Sequence, residues 1–174
     1  MSGSEVRIGV IGVGAIGPSH IYAINQVEGA ELAAVCDIRE EAASEEAEKH
    51  GVPYYTSVEE MVRSGKVDAV TVSTPSGYHL EATLTAIEND THVLVEKPLE
   101  ITTERIDQII EAEKKSKAIV AGVYQSRFKP IVSKMKSLID NGLLGDIYSG
   151  SVYIKRYRTQ DYYDSGGWRG TWKV

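Results

Sequence analysis

The stretch VRIGVIGVGAIG, residues 6–17, decides the fold. Its first half is apolar apart from Arg7, the pattern of a strand buried on both faces of a sheet. Its second half spaces Gly12, Gly14 and Gly17 as G-x-G-x-x-G, and Pro18 follows, tolerated in the first turn of a helix. In a strand–turn–helix unit each glycine has a task. Gly12 permits the tight turn, Gly14 lets the backbone approach a pyrophosphate, and Gly17 lets the helix pack closely on the strand. The free N–H groups of the helix start then face the anion.

Working outward, the next apolar run, ELAAVCD (31–37), ends on Asp37, 20 residues beyond Gly17. An acid at that place accepts hydrogen bonds from the adenosine ribose hydroxyls. The glycine spacing alone is weak; strand, helix and acid together point to a dinucleotide site. A glycine-rich turn with an incidental surface aspartate is the plain alternative, and flavin and S-adenosylmethionine proteins use related loops. Asp37 favours NAD, because a carboxylate repels a 2′-phosphate. Arg39 leaves NADP open, since it can stack on adenine, pair with a 2′-phosphate or stay solvated.

Further runs at VDAVTVS (67–73), THVLVE (91–96) and AIVAGVY (118–124), with a shorter one at VPYY (52–55), read as buried strands. Helical faces lie between and beyond them: Leu80, Leu84 and Ile87; Ile106, Ile109 and Ile110; Ile131, Val132, Met135, Leu138 and Ile139. Ser57 with Glu60 forms a capping box, and Thr102 or Thr103 caps a helix ending near Lys117. This alternation predicts an α/β fold, a doubly wound parallel sheet, over residues 1–124. The pattern then changes. Residues 125–174 read as a connecting helix and the start of a second, incomplete α+β domain, in which GDIYSGSVYIKRYR (145–158) alternates like an antiparallel strand. A lone long strand leaves its edges unpaired, so the sequence reads as the first part of a longer product.

The chain has 174 residues and a formal net charge of −6, which argues against nucleic acid or an anionic membrane as the main partner. One cysteine, Cys36, allows no intrachain disulfide. No basic segment precedes the first apolar run, and no run approaches the roughly 20 apolar residues of a bilayer span, so a cytoplasmic protein is expected. The four histidines lack ligand spacing with cysteine or clustered carboxylates, and no metal site is suggested.

Ligands of doubly wound sheets lie outside the carboxyl ends of the strands. The expected site is therefore built at Gly12, Asp37, Ser73, Glu96 and Tyr124. Glu96 and Lys97 sit at such an end, just before Pro98. They are either a solvated pair at a loop mouth or working groups of the site.

The elements GVGAIG (12–17), VCD (35–37), STPSGYH (73–79), VEKPLE (95–100) and GVYQSRFKP (122–130) resemble the glucose–fructose oxidoreductase / inositol dehydrogenase family, Gfo/Idh/MocA. The resemblance covers essentially the whole chain. It implies a two-domain enzyme moving a hydride between NAD(P) and a sugar, sugar-nucleotide or cyclitol hydroxyl, homo-oligomeric when full length. It makes Lys97 the catalytic lysine, able to relay a proton or stabilise charge at the reacting oxygen, with Glu96 orienting it or touching the cofactor. It extends the cofactor contacts to Ala15, Ile16, Ile38, Ser73, Thr74, Pro75, His79 and Gln125. The tail YYDSGGWRGTW (162–172) resembles members acting on nucleotide-linked amino sugars and uronates, of the UDP-N-acetylglucosaminuronate type. There Trp168 and Arg169 reach the cofactor, and Arg127, Lys155 and Tyr163 meet the substrate beside Lys97. Family members carry a glycine run and a histidine soon after W-R-x-x-W, and this sequence ends at Val174 before it. A non-catalytic NAD-binding sensor or scaffold is the alternative.

Overall fold

A computed structural model describes residues 5–166 and Arg169. The chain divides into two units, the first ending at Val123 and the second beginning at Tyr124.

The first unit alternates strand and helix: β1 (Val6–Ile11), α1 (Gly17–Ile24), β2 (Ala30–Cys36), α2 (Glu40–His50), β3 (Tyr54–Tyr55), α3 (Val58–Arg63), β4 (Ala69–Val72), α4 (His79–Glu88), β5 (His92–Val95), α5 (Thr103–Glu113) and β6 (Val120–Gly122). The six strands form one sheet in the order β3-β2-β1-β4-β5-β6, with every neighbouring pair parallel. The order reverses direction between β1 and β4, the switch point where such sheets bind ligands.

β1, β2 and β4 end in runs buried on both faces, which is why they read as unbroken apolar runs, whereas β5, expected to be buried, exposes one face, with Leu94 41% exposed. Ile11, Val70, Val72, Val93 and Val95 join Met61, Leu80, Ile87 and Ile109 in one core. Val10 and Val35 join Ile21, Ile24 and Ala47 in the other. Burying each such side chain contributes roughly 1.5–3 kcal/mol. Gly9 has its own reason: a Cβ there would press on Met61 Sδ at 3.0 Å.

The caps read from the sequence form. Ser57 Oγ accepts the Glu60 N–H, and Thr102 Oγ1 accepts the Arg105 N–H. The helix after Thr102 ends at Glu113, a turn earlier than expected, because Lys114 to Ser116 close it with short-range turns.

In the second unit, α6 (Pro130–Asp140) follows a short 3₁₀ turn at Gln125–Phe128, and α7 (Gln160–Asp164) precedes Arg169. The strand expected within 145–158 does not form. Residues 147–159 belong to no sheet. Alternating side chains are only half of a strand; the other half is a partner row of N–H and C=O groups, and among the described residues none lies beside this segment. Tyr148, Val152, Tyr153, Ile154 and Tyr157 are correspondingly exposed, as are Ile131 and Met135 on α6. Among the described residues no helix is long and apolar enough to cross a membrane.

Candidate dinucleotide and lysine site

The register puts the expected strand ends in one row. Ile11 pairs with Cys36 on one side and Val72 on the other, and Val72 pairs with Val95. Hydrogen bonds carry the row one residue further. Gly12 donates to Cys36 O at 2.7 Å, Ser73 to Ile11 O at 2.8 Å, Glu96 to Val72 O at 3.0 Å and Val123 to Val95 O at 2.8 Å. Gly12, Asp37, Ser73 and Glu96, spread over 85 residues of sequence, thus share one edge of the sheet.

The three loop glycines differ in what requires them. Gly12 has φ +88°, and a Cβ there would lie 2.9 Å from Ser73 C and Thr74 N. A Cβ on Gly17 would lie 2.3 Å from Gly12 O, so loop and α1 touch backbone to backbone. Gly14 has no such constraint: its φ is not positive, and a Cβ would meet only Arg39 Nη2 at 3.9 Å. Neither packing nor backbone conformation calls for a glycine at 14. Ala15 and Ile16 are exposed on the same turn. No side chain caps the start of α1 and no acid sits in its first turn; Pro18 carries no N–H, and the Ser19 and His20 N–H groups donate to Ile16 O.

Asp37 is 8% exposed. Oδ2 accepts the Val13 N–H and Arg39 Nη2, while Oδ1 accepts the Arg39 N–H and Nε. Burial pushes this carboxyl up, but the hydrogen bonds from Arg39 and Val13 outweigh it and hold it below the usual carboxylate range. The acid expected to meet the ribose therefore also ties the glycine loop to the end of β2. Beside it Ile38 is 90% exposed, an apolar surface with nothing of the chain over it. Burial pushes the neighbouring Cys36 thiol up to about 12, so it stays a core side chain without thiolate chemistry.

Past β4, the Ser73 and Thr74 hydroxyls are buried with no hydrogen-bond partner among the described residues. Buried hydroxyls without partners are costly and rare, and these two lie on the shared edge. Pro75 leads into the 3₁₀ turn Ser76–Tyr78. His79 is 1% exposed, with Nδ1 2.8 Å from Pro98 O and Nε2 2.9 Å from Thr74 O. Both ring nitrogens are spent on backbone, so the imidazole joins the loop after β4 to the loop after β5.

Glu96 is buried, and its Oε2 accepts the N–H of Lys97 at 3.0 Å. Lys97 Nζ lies 3.9 Å from the same oxygen, with the lysine side chain 58% exposed. The pair is therefore asymmetric, a fixed carboxylate and a reachable amine. Two residues of this region were missed by the reading of the sequence. Glu100 is buried, accepts the N–H of Leu80 and Ile101, and pairs with Arg105 at 3.1 Å. His20, on α1, reaches Glu96 Oε1 at 3.1 Å. Its signal was available: Gly17 and Ile24 are buried on α1, and His20 sits three residues after one and four before the other.

A family model described as oxidoreductase family, NAD-binding Rossmann fold, matches residues 6–124. The chain belongs to the Gfo/Idh/MocA oxidoreductase family. WlbA dehydrogenase from Bordetella pertussis, solved in complex with NADH and UDP-GlcNAcA, superposes with a TM-score of 0.94 at 31% identity, over 99% of this chain and 50% of that one. Myo-inositol 2-dehydrogenase of Thermotoga maritima is 35% identical over 141 residues, 80% of this chain and 42% of the relative. D-glucoside 3-dehydrogenase of Escherichia coli K12 is 32% identical over 150 residues, 85% of this chain and 43% of the relative. The chain spans less than half the length of these two curated relatives.

The remaining expected residues belong to the second unit. Gln125 and Arg127 lie in its 3₁₀ turn, Lys155 in the segment outside any sheet, and Tyr163 on α7. Arg169 donates to Tyr162 O and Ser165 Oγ and stacks 4.4 Å from the Tyr162 ring centre. Trp168 lies outside the described residues.

Proposed function

We propose that this chain is the cofactor-binding part of an NAD-dependent dehydrogenase acting on a hydroxyl of a sugar or sugar nucleotide. The observation that supports it most is Gly14, a glycine that the chain's own packing does not need, at the centre of a row of strand ends leading to Lys97. Gly12, Gly14, Ala15, Ile16 and Gly17 would hold the pyrophosphate, Asp37 and Arg39 the adenosine ribose, and Ile38 the adenine face. Ser73, Thr74 and Pro75, with Glu96, would line the nicotinamide end, and His79 would hold that segment in place. When bound, the nicotinamide supplies the hydride acceptor.

An uncharged Lys97 amine would take the hydroxyl proton while the carbon's hydride went to the nicotinamide, and the fixed carboxylate of Glu96 would hold the amine at the site mouth. The likeness to WlbA favours a UDP-linked uronic acid as substrate, with Arg127, Lys155, Tyr163 and Lys97 as its contacts and Gln125, Trp168 and Arg169 on the cofactor. We extend the reading to a cytoplasmic homo-oligomer with no nucleic-acid or membrane partner.

The test is a fluorescence titration with NADH and NADPH, followed by turnover assays with NAD and UDP-GlcNAcA, myo-inositol or a D-glucoside. Saturable NADH binding with turnover of one substrate is expected. Lys97→Met should keep NADH binding and lower kcat by about 10²-fold or more. Binding without turnover of any of the three leaves a dinucleotide-binding module, and no binding by folded protein overturns the reading.

A further inference from the structure

Four side chains from three parts of the fold, α1, β4 and the segment after β5, meet in one line beside the loop. Thr71 on β4 places Oγ1 3.0 Å from His20 Nδ1, His20 Nε2 lies 3.1 Å from Glu96 Oε1, and Glu96 Oε2 faces Lys97 Nζ at 3.9 Å. The inner members are enclosed: Thr71 is 2% exposed, and the His20 and Glu96 side chains 12% and 8%. Only Lys97 opens to solvent.

The donors can be assigned from chemistry. An ionised carboxylate only accepts, so the proton facing Glu96 sits on Nε2. Nδ1 then carries a lone pair, and the Thr71 hydroxyl donates to it. For the neutral ring, every polar group in the line is satisfied in that arrangement, which sets the tautomer.

We infer that His20 is a positioning residue for Lys97: locked by Thr71, it pins one oxygen of Glu96 so that the other stays on the lysine. This rests on the reading of Lys97 given above. The placement adds a coupling. His20 stands on α1, three residues from Gly17, so the helix that presents the phosphate loop also holds the carboxylate that holds the amine.

Two measurements on the 174-residue chain test the inference without turnover. With ¹⁵N-histidine labelling, the His20 ring, assigned by its loss in His20→Gln, should show a protonated Nε2 and an unprotonated Nδ1. In Thr71→Val that preference should give way to a mixture of tautomers. A proton on Nδ1, or rapid tautomer exchange in the unaltered protein, would overturn the inference. The second measurement is competitive acetylation of Lys97, read by mass spectrometry against Lys66. Glu96→Gln and His20→Ala should each speed labelling roughly two- to fivefold, because each loosens the carboxylate's hold on the amine. His20→Gln, whose amide can donate to Glu96, should restore the original rate. An unchanged rate in folded His20→Ala sinks the inference; if that variant does not fold, the histidine spectrum of the unaltered protein decides. Lys97→Met separates the two readings: full turnover without the lysine would remove its catalytic role while the His20 line stood.

Discussion

Arg39 lies across the carboxylate of Asp37, with Nε 3.1 Å from Oδ1 and Nη2 3.2 Å from Oδ2. The acid thus holds in place a cation that could greet a 2′-phosphate, and it would add a like charge against that phosphate. Asp37→Ala removes both effects. The ratio of NADPH to NADH affinity should rise about tenfold or more, since like charges brought together cost on the order of a kcal/mol or more. Titration of both cofactors against the variant measures it. An unchanged ratio would mean that Asp37 serves the loop through Val13 and does not discriminate.

Gly14 and Gly17 share a motif yet should fail differently. Gly17→Ala forces a methyl to within 2.3 Å of Gly12 O, so the start of α1 must move away from the loop. Thermal stability and NADH binding should fall together, by about 1–3 kcal/mol in stability. A Cβ at position 14 meets only a flexible arginine tip, so in Gly14→Val stability should stay within about 1 kcal/mol of the parent while NADH binding is lost. Paired melting and binding curves distinguish them; retained binding in folded Gly14→Val would remove the ligand from the loop.

Much of this was readable in the sequence, for physical reasons. Strands buried on both faces must be continuously apolar, so β1, β2 and β4 announced themselves. The G-x-G-x-x-G spacing followed by Asp37 encodes a local turn whose parts are neighbours in sequence. The His20 line is different. Its partners Thr71 and Glu96 lie 51 and 76 residues away, and only the β1-β4-β5 order brings them together. Segment 145–158 failed in the opposite direction: its alternation was clear, but a strand needs a partner that local sequence does not contain.

Asp68, at the start of the segment leading into β4, is gripped by Arg7. Nη2 is 2.6 Å from Oδ1 and Nε 3.0 Å from Oδ2, and the Arg7 backbone N–H also donates to Oδ2. The Arg7 side-chain hydrogen bonds, joined by that N–H, hold the carboxyl down at about 2. Unfolded, it would titrate near about 3.9. The unfolded chain therefore binds this proton first on acidification. The stability it contributes is complete above about pH 5 and is lost as pH falls toward 2. Asp68→Asn lacks that contribution at every pH. The gap in melting temperature between parent and variant should be widest near neutrality and close toward pH 2; a gap independent of pH would rule out the ion pair as its source.

His79 should matter more for stability than a residue at a helix start normally does. Its ring is buried and joins Thr74 O to Pro98 O, the two loops that flank the proposed nicotinamide end. His79→Ala removes the ring that spans the two oxygens and leaves a cavity under α4. Together these should cost about 2–4 kcal/mol. The loss should also be local. Hydrogen exchange should quicken at residues 73–79 and 96–101 before it changes in β1 or α2, because those two loops lose their tie while the sheet keeps its register. His79→Gln, which keeps one donor near the ring's place, should recover part of the stability. If exchange quickens evenly across the sheet instead, His79 is a general core residue, and the two loops are held by Glu100 and Arg105 rather than by the imidazole.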